Sequence, residues 1–427
     1  MSMLLVAFIL FCVFLFLGVP IAFSLGCGSI LAILFNGTIS PMLVAQKLFS
    51  GVNSFSLMAI PFFMLSGELM EAGGISERLI NIAKAFLGHI TGGIGMVDIG
   101  TSALFAGVSG SAAADTAAVG SMLIPSMLKD GYPAGLASVI QATAGSLGPI
   151  IPPSMTMIIY CSLTNLSIGE CFMAGIIPGI IIAFGTAFVT YFYAKRLGIK
   201  GGKKYTWRER GRAIKEGALA IIMPVIIIGG IVTGIFTPTE SGAIACVYAL
   251  IVSMLIYRNL KLKDLPKVLL RAASMNGMCL LIVAGASIFS WLVAFEHFPA
   301  TVVNFLVSLT SSKYIIMILL VIFLLFVGMF IETLSATIIV APILMPVAAS
   351  YGINDIQFAL IMVITLVYAG VTPPVGGVLF ITMGIARAKM KEVLPYLMPY
   401  LTAVVVCLLI FIFVPQIALW IPNLLFH

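Results

Sequence analysis

Residues 145–153 read Gly-Ser-Leu-Gly-Pro-Ile-Ile-Pro-Pro, and residues 370–374 read Gly-Val-Thr-Pro-Pro, each inside an otherwise continuous apolar run. Adjacent prolines remove two backbone donors and free carbonyls one turn earlier. In hydrocarbon such carbonyls are costly unless protein buries them or a partner binds them. Each stretch therefore reads as a broken helix inside a membrane-embedded bundle. Working outward, an offset of 221 carries Pro373-Pro374 onto Pro152-Pro153, and also Gly328 onto Gly107. The same offset carries Pro346 onto Pro125, Gly352 onto Gly131 and Pro399 onto Pro178. Matching prolines and glycines mean matching backbone breaks, which chance similarity between apolar segments would not need to produce.

Two more interruptions obey that offset. Residues 107–111 split the run 93–128, and residues 328–333 split the run 314–349. Each run is too long for one perpendicular span, so each is expected to be a re-entrant helical hairpin; one long, tilted and kinked helix is the alternative.

Composition fixes the class. Of 427 residues, 61% are hydrophobic and 9% charged, too few charges to cover a soluble domain of this size. Long apolar runs such as 218–236 and 403–421 can each cross a bilayer as a helix. The alternating ten-residue segments of a β-barrel are missing from the sequence. Residues 3–35 have no basic leader and run past a signal-peptide core, so they read as membrane-embedded. The seven cysteines show no metal-ligand spacing and read as small buried hydrophobes. The formal charge of +7 points to cytoplasmic loops rather than to nucleic acid.

Basic residues set the orientation. Of 22 lysines and arginines, nine lie between Lys195 and Lys215 and five between Arg258 and Arg271, which places both loops in the cytoplasm. The turn at Thr237-Pro238-Thr239-Glu240 then faces the periplasm, and both chain termini come out periplasmic. The link 165–170 has no lysine or arginine, whereas its repeat mate 386–391 carries Arg387, Lys389 and Lys391. The halves are therefore expected to be inverted with respect to the membrane, with the first hairpin entering from the cytoplasm and the second from the periplasm. Inverted repeats with paired broken helices place binding sites near the midplane. Freed carbonyls suit a sodium ion, and half-helix N-termini at the same breaks suit an anion.

The sequence resembles the large, DctM-type membrane subunit of tripartite ATP-independent periplasmic (TRAP) transporters. The stretches that carry the resemblance are Ile60-Pro61-Phe62-Phe63 with Gly67, GVSGSAAADT at 107–116, GPIIPPS at 148–154, FTPTE at 236–240 and GVTPP at 370–374. Ser241-Gly242 departs from the alanines expected after FTPTE. The resemblance implies sodium coupling and an elevator motion of a transport domain within a scaffold. It implies an organic-anion substrate of the C4-dicarboxylate or sialic-acid class, with a lean toward sialic acid from chain length and unfused form. It also implies two partners, a small four-helix membrane subunit on a separate polypeptide and a periplasmic substrate-binding protein, with this chain itself in the bacterial inner membrane.

The expected fold is thus an all-α polytopic membrane protein with an inverted-topology repeat, two re-entrant hairpins and two broken helices. Residues 1–92 form scaffold helices and an interfacial arm, and 93–167 the first transport-domain half. Residues 168–313 supply scaffold helices, basic loops and a second arm, 314–391 the second transport-domain half, and 392–427 a C-terminal scaffold helix. Two or more sodium ions are expected and no organic cofactor. One position lies among Gly107, Ser109, Gly145, Gly148 and Pro149, the other among Gly328, Thr333, Gly370, Thr372 and Pro373, with backbone carbonyls dominant because glycine lets main chain approach closely.

The substrate candidates are Ser111, Asp115, Thr156 and Glu332. An ionised group inside the membrane needs a partner or water, which favours a role for Asp115 and Glu332; sugar hydroxyls and amides can donate to both. Asp98 reads as structural. Glu68, Glu71, Glu77, Arg78 and Lys84 read as a solvated interfacial helix. One reading makes the chain a self-sufficient sodium/anion symporter; a passive channel would not need paired hairpins. From another class, Gly107-Val108-Ser109-Gly110 matches the G-x-S-G of rhomboid-type intramembrane serine proteases, but His89, His297 and His427 all lie outside the later apolar spans where a base belongs.

Overall fold

Glycine and proline punctuate a chain that is otherwise apolar enough to stay helical throughout, and the computed structural model follows that punctuation. It describes residues 2–37 and 39–426, among which there is no β-strand. Helices α1 (Met3–Phe16) and α2 (Ile21–Asn36) meet at Gly18-Val19-Pro20, where Gly18 has φ +80°. Helices α3 (Met42–Val52), α4 (Ala59–Ala72) and α5 (Ile75–Leu87) follow, with Gly74 (φ +75°) turning α4 into α5. Glu68 and Glu71 lie half-buried on α4, and only Glu77, Arg78 and Lys84 belong to α5, so the acidic and basic residues read as one interfacial helix sit on two.

Next come α6 (Gly93–Ser109), α7 (Ala112–Lys129), α8 (Ala134–Gly145), α9 (Met155–Thr164) and α10 (Ile168–Arg196). Helices α11 (Trp207–Val232), α12 (Pro238–Leu250), α13 (Leu265–Phe295) and α14 (Phe298–Leu309) lead to α15 (Lys313–Gly328), α16 (Thr333–Ser350), α17 (Asp355–Ala369), α18 (Gly377–Ala386), α19 (Met390–Phe413) and α20 (Gln416–Phe426). Ala112 and Thr333, which open α7 and α16, are 221 residues apart, as are Lys129 and Ser350, which close them.

Among the described residues, six helical segments are long and apolar enough to cross a membrane: α10, α11, Pro238–Ile256, α13, α16 and α19. In the third, α12 continues into a π-helical turn over Ile251–Ile256. A seventh is available if α3 and Ser56–Ala72, bent by 56° at their junction, count as one broken span. The run 403–421 is not continuous: Pro415 cannot donate to the helix, and the chain stops at Phe413 and restarts at Gln416. The expected break at 107–111 is also narrower, because Gly107, Val108 and Ser109 remain helical and only Gly110 and Ser111 interrupt the chain.

The halves interlock in the core. Helix α16 packs on α9 and α18 packs on α7 and α8, so each hairpin grips the opposite broken helix. The hydroxyl of fully buried Tyr368 on α17 donates to the backbone carbonyl of Thr143 on α8 at 3.1 Å. A buried phenol without such a partner would lose the net worth of a hydrogen bond and more, so this link pins the two broken helices at one height.

Candidate functional site

Local rules build each part of the site. Helix α6 ends because Gly110 adopts φ +61°, a left-handed conformation that glycine tolerates at no steric cost. Ser111 then caps α7, accepting from the Ala114 amide at 3.5 Å. A Cβ on Gly110 would lie 3.2 Å from the Met155 amide and closer still to the Pro153 carbonyl, so the first tip touches the first broken helix. At the second tip, Glu332 caps α16: its Oε2 accepts from the Leu334 and Ser335 amides at 3.0 and 3.2 Å.

Both tips and both breaks converge on one cavity of about 260 Å³. Ser111, Thr156, Glu332, Thr333, Gly328, Gly370 and Pro149 line it. Glu332 is its one acidic group, exposed toward it, with Oε2 engaged by the start of α16. Thr156, at the start of α9, is 1% exposed. The remaining walls are largely small or apolar: Ala112, Ala113, Met155, Val375, Gly376 and Ile381. A compartment of this composition suits an organic molecule with a few polar groups.

Asp115, read as a pocket group, does not line this cavity. One turn into α7, it is fully buried; Oδ1 takes a hydrogen bond from the Ser109 hydroxyl, and Oδ2 has no hydrogen-bond partner among the described residues. Oδ2 faces the first break: a Cβ on Gly148 would lie 2.5 Å from it and 3.1 Å from Cγ. The next residue, Thr116, is also fully buried, and its unpartnered hydroxyl abuts Gly145. The sequence showed no reason to single out Thr116, because α7 is apolar or small on every side; the glycines opposite it were the available signal.

The other candidates distribute as follows. Gly107 lies inside α6 against Pro224, with the Pro152 carbonyl 3.7 Å from a Cβ placed there. Gly145, Gly148 and Ser109 sit behind the cavity wall, Ser109 being 7% exposed. At the second break, a Cβ on Gly370 would stand 3.6 Å from Thr333 Oγ1, and one on Gly328 would meet Ala369 at 2.6 Å. Thr372 donates to the Tyr368 carbonyl at 3.0 Å, and both Thr372 and Pro373 are half-buried. Each tip thus abuts the break of its own half. Asp98 is fully buried on α6 beside Gln141, whose amide nitrogen, turned toward it, lies 3.0 Å from Oδ2.

A serine nucleophile is not built here. The Ser109 hydroxyl is engaged by Asp115, neither His89 nor His297 hydrogen-bonds to it, and His427 lies outside the described residues.

Comparisons with known proteins agree with the helical architecture and narrow its meaning. Residues 8–417 match the family described as tripartite ATP-independent periplasmic transporter, DctM component. The chain is 39% identical over 423 residues to the C4-dicarboxylate TRAP transporter large permease protein DctM of Rhodobacter capsulatus, covering 96% of each. It is 37% identical to the 2,3-diketo-L-gulonate TRAP transporter large permease protein YiaN of Escherichia coli, covering 94% of each. It is 34% identical to the sialic acid TRAP transporter large permease protein SiaM of Vibrio cholerae, covering 96% of each. Among solved structures, the YdaH transporter of Alcanivorax borkumensis, described as having an unusual topology, superposes with a TM-score of 0.63 at 12% identity, over 92% of this chain and 89% of that one. That last likeness concerns the fold alone.

Proposed function

The chain belongs to the DctM component family of TRAP transporters, a family of transporters and not of enzymes, and from that premise we propose that it imports an organic anion on a sodium gradient. The observation that carries the proposal is the convergence of two helix-hairpin tips and two broken helices on one cavity, with unpartnered buried oxygens directly behind it. The substrate is an organic anion of the C4-dicarboxylate or sialic-acid class, the chemistries in the names of the Rhodobacter capsulatus and Vibrio cholerae relatives. It is delivered by a periplasmic binding protein, with a small four-helix subunit completing the inner-membrane complex. Ser111, Thr156 and Glu332 contact it. The one Glu332 oxygen not used in capping, together with the two hydroxyls, accepts from or donates to substrate hydroxyls and amides.

Two sodium ions are placed at the two breaks. The first sits among Ser109, Gly145, Gly148 and Pro149 beside the helical Gly107, with Asp115 Oδ2 and Thr116 Oγ1 as two buried oxygens that have no hydrogen-bond partner among the described residues. A hard monovalent cation takes oxygen ligands, and a buried unpaired carboxylate is expensive unless a cation compensates it. This assigns Asp115 to the cation rather than to the substrate. The second ion sits among Gly328, Thr333, Gly370, Thr372 and Pro373.

The repeat of α7 in α16 at an offset of 221, and the opposite charge of the paired links, support an inverted arrangement of residues 93–167 and 314–391. Those two segments form the moving unit, and residues 1–92, 168–313 and 392–427 the scaffold, in an elevator motion with both termini periplasmic. The borders fall near helix starts, with 391 just inside α19.

The test is uptake into proteoliposomes with an inward sodium gradient. The chain with its small subunit and its loaded binding protein is expected to transport; the chain alone is expected to transport little. Full uptake by the isolated chain would make it a self-sufficient symporter instead.

A further inference from the structure

A second, larger crevice lies away from the two-tip cavity. It has a volume of about 760 Å³ and forms where the end of α10 meets the starts of α8 and α19. Arg196, in the exposed last turn of α10, lines it and forms no ion pair among the described residues. The acidic residue on the same wall, Glu392, is engaged elsewhere: its Oε2 accepts from the Lys389 amide at 3.0 Å, capping α19. Accepting from a neutral amide leaves Glu392 its charge, but among the described residues it makes no ion pair with Arg196, so the guanidinium fork is not taken up by a carboxylate. In sequence, Lys195 adjoins Arg196, and Lys389 and Lys391 precede Glu392.

The back wall is aromatic and held in place. The Tyr193 and Tyr396 rings meet edge to face at 5.3 Å, and Tyr193 stacks on Tyr400 at 6.4 Å. Tyr400 is in turn fixed by a 2.7 Å hydrogen bond with Thr190. Tyrosines with an apolar body and a polar tip are typical of the membrane–water interface. Along the spans leading away from the crevice, α10 exposes Phe184, Phe188 and Phe192, and α19 exposes Leu394 and Met398. Exposed apolar side chains thus occur on both long helices that form the crevice. At its edge, α8 begins at Pro133 with no side chain capping its N-terminal amides, a second source of positive potential.

We propose that this crevice binds the phosphodiester headgroup of an anionic membrane phospholipid, with Arg196 as charge partner, Tyr193 and Tyr396 as wall, and the exposed tracks of α10 and α19 carrying the acyl chains. An arginine fork matches two phosphate oxygens, which a lysine does not. Basic residues just outside a span attract anionic lipid. On the division of the chain given above, the lipid would sit at the seam between the moving unit and its scaffold; the binding itself does not depend on that division.

Native mass spectrometry of the purified full chain, equilibrated with phosphatidylglycerol or phosphatidylcholine, tests this directly. Wild type is expected to retain phosphatidylglycerol in preference to phosphatidylcholine. Arg196→Gln should lower retention about tenfold, the loss of one charge-assisted bond, and Arg196→Lys should fall between. Lys263→Gln, an exposed lysine of the other basic loop and not on the crevice, should behave as wild type. Circular dichroism checks that the variants keep their helix content, as expected for an exposed side chain. Equal retention of phosphatidylcholine, or unchanged retention in Arg196→Gln, would overturn the proposal. Displacement of the lipid by an equal concentration of inorganic phosphate would also overturn it, in favour of a soluble-anion site.

Discussion

Replacing Gly148 by alanine is the most informative small perturbation of the first break. The added Cβ would stand 2.5 Å from Asp115 Oδ2, closer than such atoms approach in folded proteins, and a tight 3.1 Å from its Cγ. The carboxylate cannot easily retreat, because Asp115 is fully buried and its other oxygen is held by Ser109. Gly148 is not among the glycines with positive φ, so the cost is one of contact alone. Overpacking of this kind costs about 1–3 kcal/mol; at about 2 kcal/mol, falling on the site that needs the carboxylate in place, apparent sodium affinity drops about 30-fold. Gly384→Ala, on α18 and outside both proposed cation sites, is the control: its Cβ meets nothing within 4 Å, and a loss below about 1 kcal/mol is expected.

The assay is the sodium-dependent rise in melting temperature of the purified chain, which reports binding to the folded state by mass action. Combining Gly148→Ala with Asp115→Ala should recover part of the stability lost in the single variant, because the collision is gone and the two changes are not additive. Sodium protection that is as large in Gly148→Ala as in Gly384→Ala would refute the placement of a cation behind Gly148.

Other outcomes follow from the same contacts. Ser109→Ala leaves a buried carboxylate oxygen without its donor, so melting should fall by the equivalent of about 1–3 kcal/mol, whereas Ser121→Ala, at an exposed helix position, should change little. Glu332→Ala removes the cap of α16 and should cost about 1 kcal/mol, with Glu332→Asn recovering most of the stability but not the substrate affinity measured in uptake. In a background lacking the exposed Cys27, a cysteine at Lys203 should react with impermeant maleimide only from the cytoplasm and one at Ser167 only from the periplasm. Labelling of both from one side would remove the case for inversion.

Much of the fold is legible because its decisive positions are chemical exceptions. Proline pairs, Gly110 and the basic loops stand out against an apolar background, and the structure breaks or turns at those places. What periodicity could not supply was direction. Helix α7 carries small or apolar residues on most sides, so nothing in the spacing of Asp115 and Thr116 says that they face Gly148 and Gly145 rather than the cavity. The role of Glu332 was more accessible: a carboxylate two and three residues before the amides of Leu334 and Ser335 is a helix N-cap pattern. Residues 403–421 misled because their mean apolarity hides the missing donor of Pro415. Arg196 is one basic residue among nine in its loop, and only the meeting of α8, α10 and α19 separates it from the others.

The hydrogen bond between Tyr368 and the Thr143 carbonyl joins residues 225 positions apart, which sets a timetable for biogenesis. At about 5–20 residues per second of synthesis, roughly 10–45 s separate the emergence of the two. Throughout that interval α7, α8 and α9 are present in the membrane without the α16, α17 and α18 surfaces that will cover them. The newly made half must therefore wait as a partly wetted or lipid-facing intermediate, its broken backbone unsatisfied, until its counterpart is inserted; a ribosome pause placed after Thr143 would lengthen that exposure, and one placed after α18 would not.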